Sequence, residues 1–153
     1  MAMRRRRPAA TAAFLTAGLL SLVSAGAAQN GQNAESFKAR LSPVPINISM
    51  MATIAGTGSL TATLTGKQLA VQGTFEGLRS PATTVQFHRA PKGIPGPAIA
   101  DLNLTVTKAE KGTVSGTVDL TPDQIADLRN SRLYVQIQSE RAPDGNLWGW
   151  LLK

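Results

Sequence analysis

The chain has 153 residues, with 16 Lys and Arg against 9 Asp and Glu, a single histidine and no cysteine. The lack of cysteine excludes a disulfide scaffold, thiolate metal sites and haem attachment through cysteine. Four arginines lie together at residues 4–7, and from residue 28 onward 12 Lys and Arg minus 9 Asp and Glu leave a net charge of +3. This scattered charge does not predict binding to nucleic acid.

The N-terminal residues have the pattern of a secretory signal. Basic residues 4–7 precede an uncharged, mostly apolar run at 9–23, and small residues follow it. The run has 15 residues, whereas a membrane-spanning helix needs about 20. The protein is therefore expected to be exported to the periplasm or the medium, without a stable membrane anchor after cleavage. We predict a signal peptide at 1–27, a flexible leader at 28–35 and one domain at 36–153.

Alternating apolar and polar residues predict a mainly β protein. The predicted strands are 36–41, 57–65, 68–75, 83–88, 98–107, 113–120, 133–138 and 147–152. The uncharged segment 46–55 is either a further strand or a packed loop. Gly66 and Lys67 predict a hairpin turn, and residues 142–146 predict another turn. Short strands at this spacing indicate an all-β, antiparallel sandwich or barrel.

One short helix is predicted at residues 122–129. Thr121 is a suitable N-cap, Pro122 suits the first helical position, and Gln124 completes a capping box with Thr121. Asn130 is expected to end the helix.

The only histidine lies on the strand at 83–88, and alternation places it with a glutamine on the face away from the core. The strand at 133–138 likewise carries two outward glutamines. If these strands are neighbours, their polar groups converge beneath the Gly/Pro-rich loop at 89–97, which adds basic side chains. The predicted binding residues are Gln86, His88, Arg89, Lys92, Gln136 and Gln138. The alternative is an ordinary solvated face that carries one histidine.

Metal binding and catalysis are not predicted from these residues. Stable zinc or copper sites use several His, Cys or carboxylate ligands. This chain has one histidine, His88, and no cysteine. A serine nucleophile needs a positioned base and an acid, and Ser80 lacks the G-x-S-x-G context. We therefore expect no cofactor, no catalytic residue and no enzymatic activity.

Two tryptophans near the C-terminus share one face of the last predicted strand. Trp148 and Trp150 are separated by Gly149, so alternation points both in the same direction. They are interpreted either as packing residues or as an exposed aromatic pair that contacts a protein or glycan.

The order of these segments resembles the CHRD domain, which is repeated in chordin and occurs singly in many exported bacterial proteins. The resemblance covers nearly all of the predicted domain. It rests on residues 37–41, the Gly/Thr-rich hairpin, residues 75–78, residues 85–88 with Gly93 and Gly96, residues 133–137, and residues 143–145 with the tryptophan–glycine ending.

The resemblance implies a β-sandwich of the superoxide-dismutase-like Greek-key type, but it does not carry over a metal centre. The family usually has His-Ile-His on the central strand and Tyr-Val-Asn-Val-His on the later one. Here these positions are Gln86–Phe87–His88 and residues 134–138, which end in Gln138, so two of three expected histidines are glutamines. A single histidine cannot assemble the dismutase centre.

The sequence thus predicts an exported, non-enzymatic CHRD-type protein that binds an unknown protein or glycan. Growth-factor binding, which chordin implies, does not suit a bacterial signal sequence. One alternative is an envelope protein that handles copper or zinc through a degenerate histidine site. Another is a structural or assembly protein that associates through its tryptophan edge.

Overall fold

The computed structural model describes residues 33–153, so the predicted signal peptide and most of the predicted leader lie outside the described residues. The described part contains nine strands and one α-helix. The elements are β1 (Glu35–Pro43), β2 (Thr57–Thr65), β3 (Gln68–Glu76), β4 (Ala82–Arg89), β5 (Ala98–Asn103), β6 (Thr105–Val106), β7 (Gly112–Asp119), α1 (Pro122–Arg129), β8 (Leu133–Ser139) and β9 (Ala142–Trp150).

All strand pairs are antiparallel and follow the order β5-β4-β8-β9-β1-β2-β3-β7-β6. The long strand β1 belongs to both halves of this curled sheet. Its residues Glu35 to Leu41 pair with β2, whereas Ser42 and Pro43 pair with β9. We call β5, β4, β8 and β9 the histidine half and β2, β3, β7 and β6 the threonine half. The predicted all-β antiparallel fold is confirmed.

One hydrophobic core joins the two halves. Alternate residues of each strand point inward, because successive side chains of a strand lie on opposite faces. Phe37 and Leu60 contribute from one side, and Phe87 and Ile137 from the other, all with almost no exposed surface. The outer face of the threonine half is mostly exposed Ser, Thr and Gln, as the alternation predicts.

The structure decides one open alternative and corrects two local predictions. Segment 46–55 is a loop with a 3-10 turn at Ile48–Met50. The predicted strand at 98–107 is interrupted at Leu104, because β5 pairs with β4 whereas β6 pairs with β7, so the chain crosses between the halves there.

The predicted turn at 142–146 is also wrong, since the chain reverses at Glu140 and Arg141. Ser139 pairs with Ala142 while Ile137 pairs with Leu147, so residues 143–146 form a bulge within β9. The bulge is held by side chains: the Asn146 Nδ2 donates to Ser139 Oγ at 2.8 Å. A Pro-Asp-Gly sequence can thus lie in an irregular strand when neighbouring side chains satisfy its polar groups.

The helix α1 has the predicted boundaries. Gln124 N–H donates to Thr121 Oγ1 at 3.3 Å, and Thr121 N–H donates to Gln124 Oε1 at 2.9 Å, which completes the capping box. The helix ends at Arg129, with Asn130 as its C-cap. Within residues 33–153, no helix has the length and apolar character needed to cross a bilayer.

Glu35 connects the first strand, the helix and the C-terminus. Arg129 Nε donates to Glu35 Oε1 at 3.0 Å, and Lys153 Nζ donates to Oε2 at 2.9 Å. These hydrogen bonds, first that of Arg129 and then that of Lys153, lower the pKa of Glu35 to about 2 from its usual 4.5. Because the folded state favours the ionised carboxylate, this contribution to stability is complete above pH 4.5 and is lost as the pH falls toward 2.

We therefore expect Glu35→Gln to lower stability at neutral pH and to flatten the loss of stability between pH 4.5 and 2. The measurement is the urea midpoint at several pH values in this window. Glu110→Gln is the matched control, because it removes one exposed carboxylate that forms no ion pair within the described residues. Equal pH profiles for the two variants would contradict the assigned role of Glu35.

Candidate functional site

The strands β4, β8 and β9 are neighbours, so the predicted polar residues do come together. One row across their outer face contains His88, Tyr134 and Trp150, and the next contains Gln86, Gln136 and Trp148. A third pairing joins Thr84 and Gln138. The convergence expected from alternation is thus present in the structure.

This outer face is largely buried. The alternative interpretation, an ordinary solvated face that carries one histidine, expected it to be exposed. His88 is 8% exposed, and Gln136 and Gln138 are each 7% exposed. Every residue of β8 is buried. The cover comes from two neighbouring segments, because Ala90 of the 89–97 loop and Val44 after β1 both pack against the aromatic side chains of this face.

The glutamines are occupied by hydrogen bonds within the protein. Gln138 Nε2 donates to Gln86 Oε1 at 3.1 Å, and Gln138 Oε1 accepts from Thr84 Oγ1 at 2.9 Å. Gln136 Nε2 donates to the carbonyl of Asp144 at 2.8 Å, which holds the bulge in β9. Buried amides are stable only with such partners. Their visible role is to hold neighbouring strands and the bulge in place.

His88 supports the loop that lies above it. Its Nδ1 is 3.0 Å from the carbonyl oxygen of Gly96, and a carbonyl only accepts, so Nδ1 carries the proton. In the neutral ring, Nε2 is then an acceptor, and it is buried without a hydrogen-bond partner among the described residues. Gln138 bonds to Gln86 and Thr84, whereas His88 bonds to Gly96, so the two predicted site residues serve different contacts.

Tyr134 is the central residue of this face, and the sequence reasoning did not select it. Its ring stacks on His88 with centroids 4.9 Å apart, and its hydroxyl accepts from Gly96 N–H at 3.0 Å and donates to Gly96 carbonyl at 3.2 Å. Burial raises the pKa of Tyr134, and the hydrogen bond to Gly96 opposes part of that rise. The sequence offered one signal for Tyr134: a buried tyrosine hydroxyl needs a hydrogen-bond partner, and the adjacent loop supplies one.

Trp148 and Trp150 extend this packing and are about nine-tenths buried. The Trp150 ring lies 4.5 Å from Tyr134 and 4.7 Å from Trp148, measured between centroids, and Trp150 Nε1 donates to Ala90 carbonyl at 3.0 Å. We call His88, Tyr134, Trp148 and Trp150 the aromatic cluster. Trp148 and Trp150 therefore pack beneath the loop, in agreement with their interpretation as packing residues.

The 89–97 loop is ordered by backbone hydrogen bonds at both ends. Ala90 N–H donates to Arg132 carbonyl at 2.9 Å, and Arg89 N–H donates to Pro97 carbonyl at 3.1 Å. In between, Ile94 N–H donates to Pro91 carbonyl at 3.1 Å, and Gly93 has a φ of 83°, which closes a tight turn. The loop tip, residues 92–95, remains exposed.

The two predicted basic residues of the loop differ in their surroundings. Arg89 Nε contacts the carboxylate of Asp127, which belongs to α1 and is almost fully buried. Arg132 Nε lies 3.8 Å from the other carboxylate oxygen. Lys92 lies on the exposed tip and forms no ion pair within residues 33–153. Arg89 thus holds the base of the loop, whereas Lys92 is exposed.

The described residues contain no group of three His, Cys, Asp or Glu side chains that could hold a metal ion. Ser80, the one serine considered as a nucleophile, is buried, and its Oγ accepts from Arg141 N–H at 3.0 Å. His88 instead bonds to Gly96. Ser80 and His88 thus form separate contacts within the protein.

Comparison with known proteins gives one family. No curated protein and no solved structure matches the chain. Residues 37–151 match the CHRD domain, from the first buried residue of β1 to the end of the last core segment. This match covers most of the 153 residues, and the protein therefore belongs to the CHRD domain family.

Proposed function

We propose that this CHRD-domain protein is an exported, non-enzymatic binding protein that contacts a partner protein through the loop tip at residues 92–95. The observation that carries the proposal is the contrast within one loop. Gly96 is bonded on both its N–H and its carbonyl by the aromatic cluster, whereas Ile94 is 55% exposed next to the exposed Lys92.

A loop of this kind is suited to binding because it is already ordered. Association costs free energy whenever a flexible segment must become fixed, and a preformed loop avoids much of that cost. Three backbone hydrogen bonds, the Gly96 contacts and the Arg89–Asp127 ion pair fix this loop from below. None of these contacts uses the exposed side chains of Lys92 and Ile94.

The chemistry of the tip favours a protein over a glycan. An isoleucine beside a lysine offers an apolar contact with an adjacent positive charge. Sugar recognition commonly uses an open aromatic face, and the aromatic cluster is covered by the loop itself. The glutamines of the predicted site act indirectly in this proposal, by holding β4, β8 and β9 in register.

Export and the lack of catalysis are part of the same proposal. Export is supported by the basic, apolar and small-residue order of residues 4–28. The lack of catalysis is supported by the separate hydrogen bonds of Ser80 and His88. The metal-handling alternative depends on the buried Nε2 of His88 alone, and the assembly alternative needs tryptophans that lie beneath the loop, so both have less support.

The test is photo-crosslinking in the producing cell, with a photoreactive amino acid in place of Lys92. We expect one discrete protein adduct. Adding Ile94→Asp should reduce its yield about tenfold, since losing the burial of an isoleucine weakens binding by about 1.5 kcal/mol or more. Ile48→Asp, which changes a more exposed isoleucine of another loop, should leave the yield unchanged.

The proposal fails if position 92 gives no adduct beyond that obtained from the exposed Thr117 of the threonine half. It also fails if Ile48→Asp lowers the yield as much as Ile94→Asp. An adduct whose added mass is removed by glycosidases would replace the protein partner by a glycan.

A further inference from the structure

The loop between β1 and β2 exposes an unusual amount of apolar surface. Within this β1–β2 loop, residues 44–56, Ile46 is 45% exposed, Ile48 is 90% exposed and Met51 is 58% exposed. Among the described residues, only Ile94 is another large apolar side chain with comparable exposure. Single exposed apolar residues are common, but three within six positions indicate an interaction surface.

Several polar groups of this loop bond to one another. The side chain of Asn47 accepts from Ser49 Oγ at 2.6 Å and from Met50 N–H at 3.1 Å. The Met50 carbonyl accepts from the N–H groups of Thr53 and Ile54, both at 3.0 Å. Thr53 Oγ1 also donates to this carbonyl, at 3.1 Å. These groups already have partners, so moving them out of water carries a smaller desolvation cost than burying unpaired polar groups.

The loop is fixed at both ends, so it presents these side chains in a defined position. Val44 N–H donates to Asn146 carbonyl at 3.0 Å, and Val44 packs against the aromatic cluster. At the other end, Ile54 is 4% exposed. Gly56 has a φ of 116°, and a Cβ there would lie 2.7 Å from the Glu76 carbonyl oxygen. The exposed residues thus cannot turn inward without breaking these contacts.

The surroundings of the loop in the sequence carry no charge. No Asp, Glu, Lys, Arg or His occurs between Leu41 and Gly66. An apolar, uncharged loop suits the boundary between lipid headgroups and acyl chains, where apolar area itself provides the attraction.

We infer that the β1–β2 loop binds reversibly to a lipid surface, with Ile48 at the deepest point and Ile46 and Met51 beside it. The contact is shallow, since irregular backbone does not enter the hydrocarbon region. This inference is independent of the proposed loop-tip function, because it uses a different loop and different side chains. It gives residues 33–153 a means of staying at a membrane that does not depend on a spanning helix.

The test is co-sedimentation with phosphatidylcholine vesicles, alone or with added phosphatidylglycerol. We expect the wild type to bind both and Ile48→Asp to bind at least about tenfold more weakly, since one buried isoleucine contributes about 1.5 kcal/mol or more. Ile94→Asp, the matched control at another exposed isoleucine, should bind like the wild type. The wild type and all variants have the same chain length, so that any contribution of residues 9–23 to vesicle binding is the same in each protein.

A second measurement does not depend on the loss of binding. Ile48→Trp should give tryptophan fluorescence that shifts to shorter wavelength on addition of vesicles and is quenched by brominated lipid. Ile94→Trp should show neither change. Binding should also persist when the salt concentration rises from about 0.1 M to about 1 M, because screening weakens charge attraction but not apolar contact.

Three results would overturn the inference. The first is a wild type that does not bind vesicles, and the second is an Ile48→Asp variant that binds as well as the wild type. The third is self-association in light scattering that Ile48→Asp abolishes, which would make a second copy of the chain the occupant of this surface. Loss of vesicle binding in Ile48→Asp with an unchanged Lys92 adduct would separate this surface from the loop tip.

Discussion

Replacing Tyr134 by alanine is expected to lower the free energy of unfolding by about 3–5 kcal/mol, the range for removing a large buried aromatic side chain. Tyr134 is 1% exposed and contacts His88, Trp148 and Trp150 directly. The substitution would leave a cavity between the outer face of β8 and the 89–97 loop. Chemical denaturation measures the change, and near-ultraviolet circular dichroism reports the loss of tryptophan packing.

Tyr134→Phe separates the packing of the ring from the attachment of the loop. It keeps the ring but removes the hydroxyl that bonds to both polar groups of Gly96. We expect a loss of about 1–2 kcal/mol, because Gly96 N–H loses its partner while its carbonyl keeps His88. Hydrogen exchange in the loop should increase in both variants. A Tyr134→Ala protein with wild-type stability would contradict the central role of this ring.

Replacing Gly73 by valine is expected to cost about 3 kcal/mol, at the upper end for inserting atoms into a packed core. Gly73 lies in the middle of β3, opposite Leu60 of β2. A Cβ at this position would overlap the Ser59 carbonyl oxygen and the Leu60 side chain, and would lie 2.8 Å from Leu60 Cα. Since backbone atoms cannot move aside cheaply, the strands would have to separate.

Ala70→Val is the matched control on the same strand. Ala70 lies on the exposed outer face of β3, so a valine side chain is placed there where there is space. Its stability should change by no more than about 0.5 kcal/mol. The two thermal midpoints should therefore differ clearly, and similar values would show that β2 can shift away from Gly73.

Local signals predicted the helix and the β2–β3 hairpin well. The capping box at Thr121 and Gln124 involves residues three apart, and the turn at Gly66 involves neighbours, so both were visible in the sequence. Alternation also placed Gln86 and His88 on the correct face of β4. These features depend on contacts that are short in sequence or on strand geometry alone.

The burial of the outer face could not be predicted in the same way. It depends on a loop that folds back over its own sheet and on Val44, which follows β1 and is distant in sequence. The bulge at 143–146 likewise depends on Gln136 and Ser139 of the neighbouring strand. Alternation determines which way a side chain points, but it does not determine what lies on that side.

The sharing of β1 between the two halves affects the order in which this domain can fold. Its partner β2 follows immediately in the chain, but its other partner is β9, the last strand. Lys38 also exchanges backbone hydrogen bonds with Leu152. The first strand thus acquires its second neighbour only after residues 142–152 have been synthesised. Because such distant pairing slows folding, we expect the complete sheet to form after the local β2–β3 hairpin.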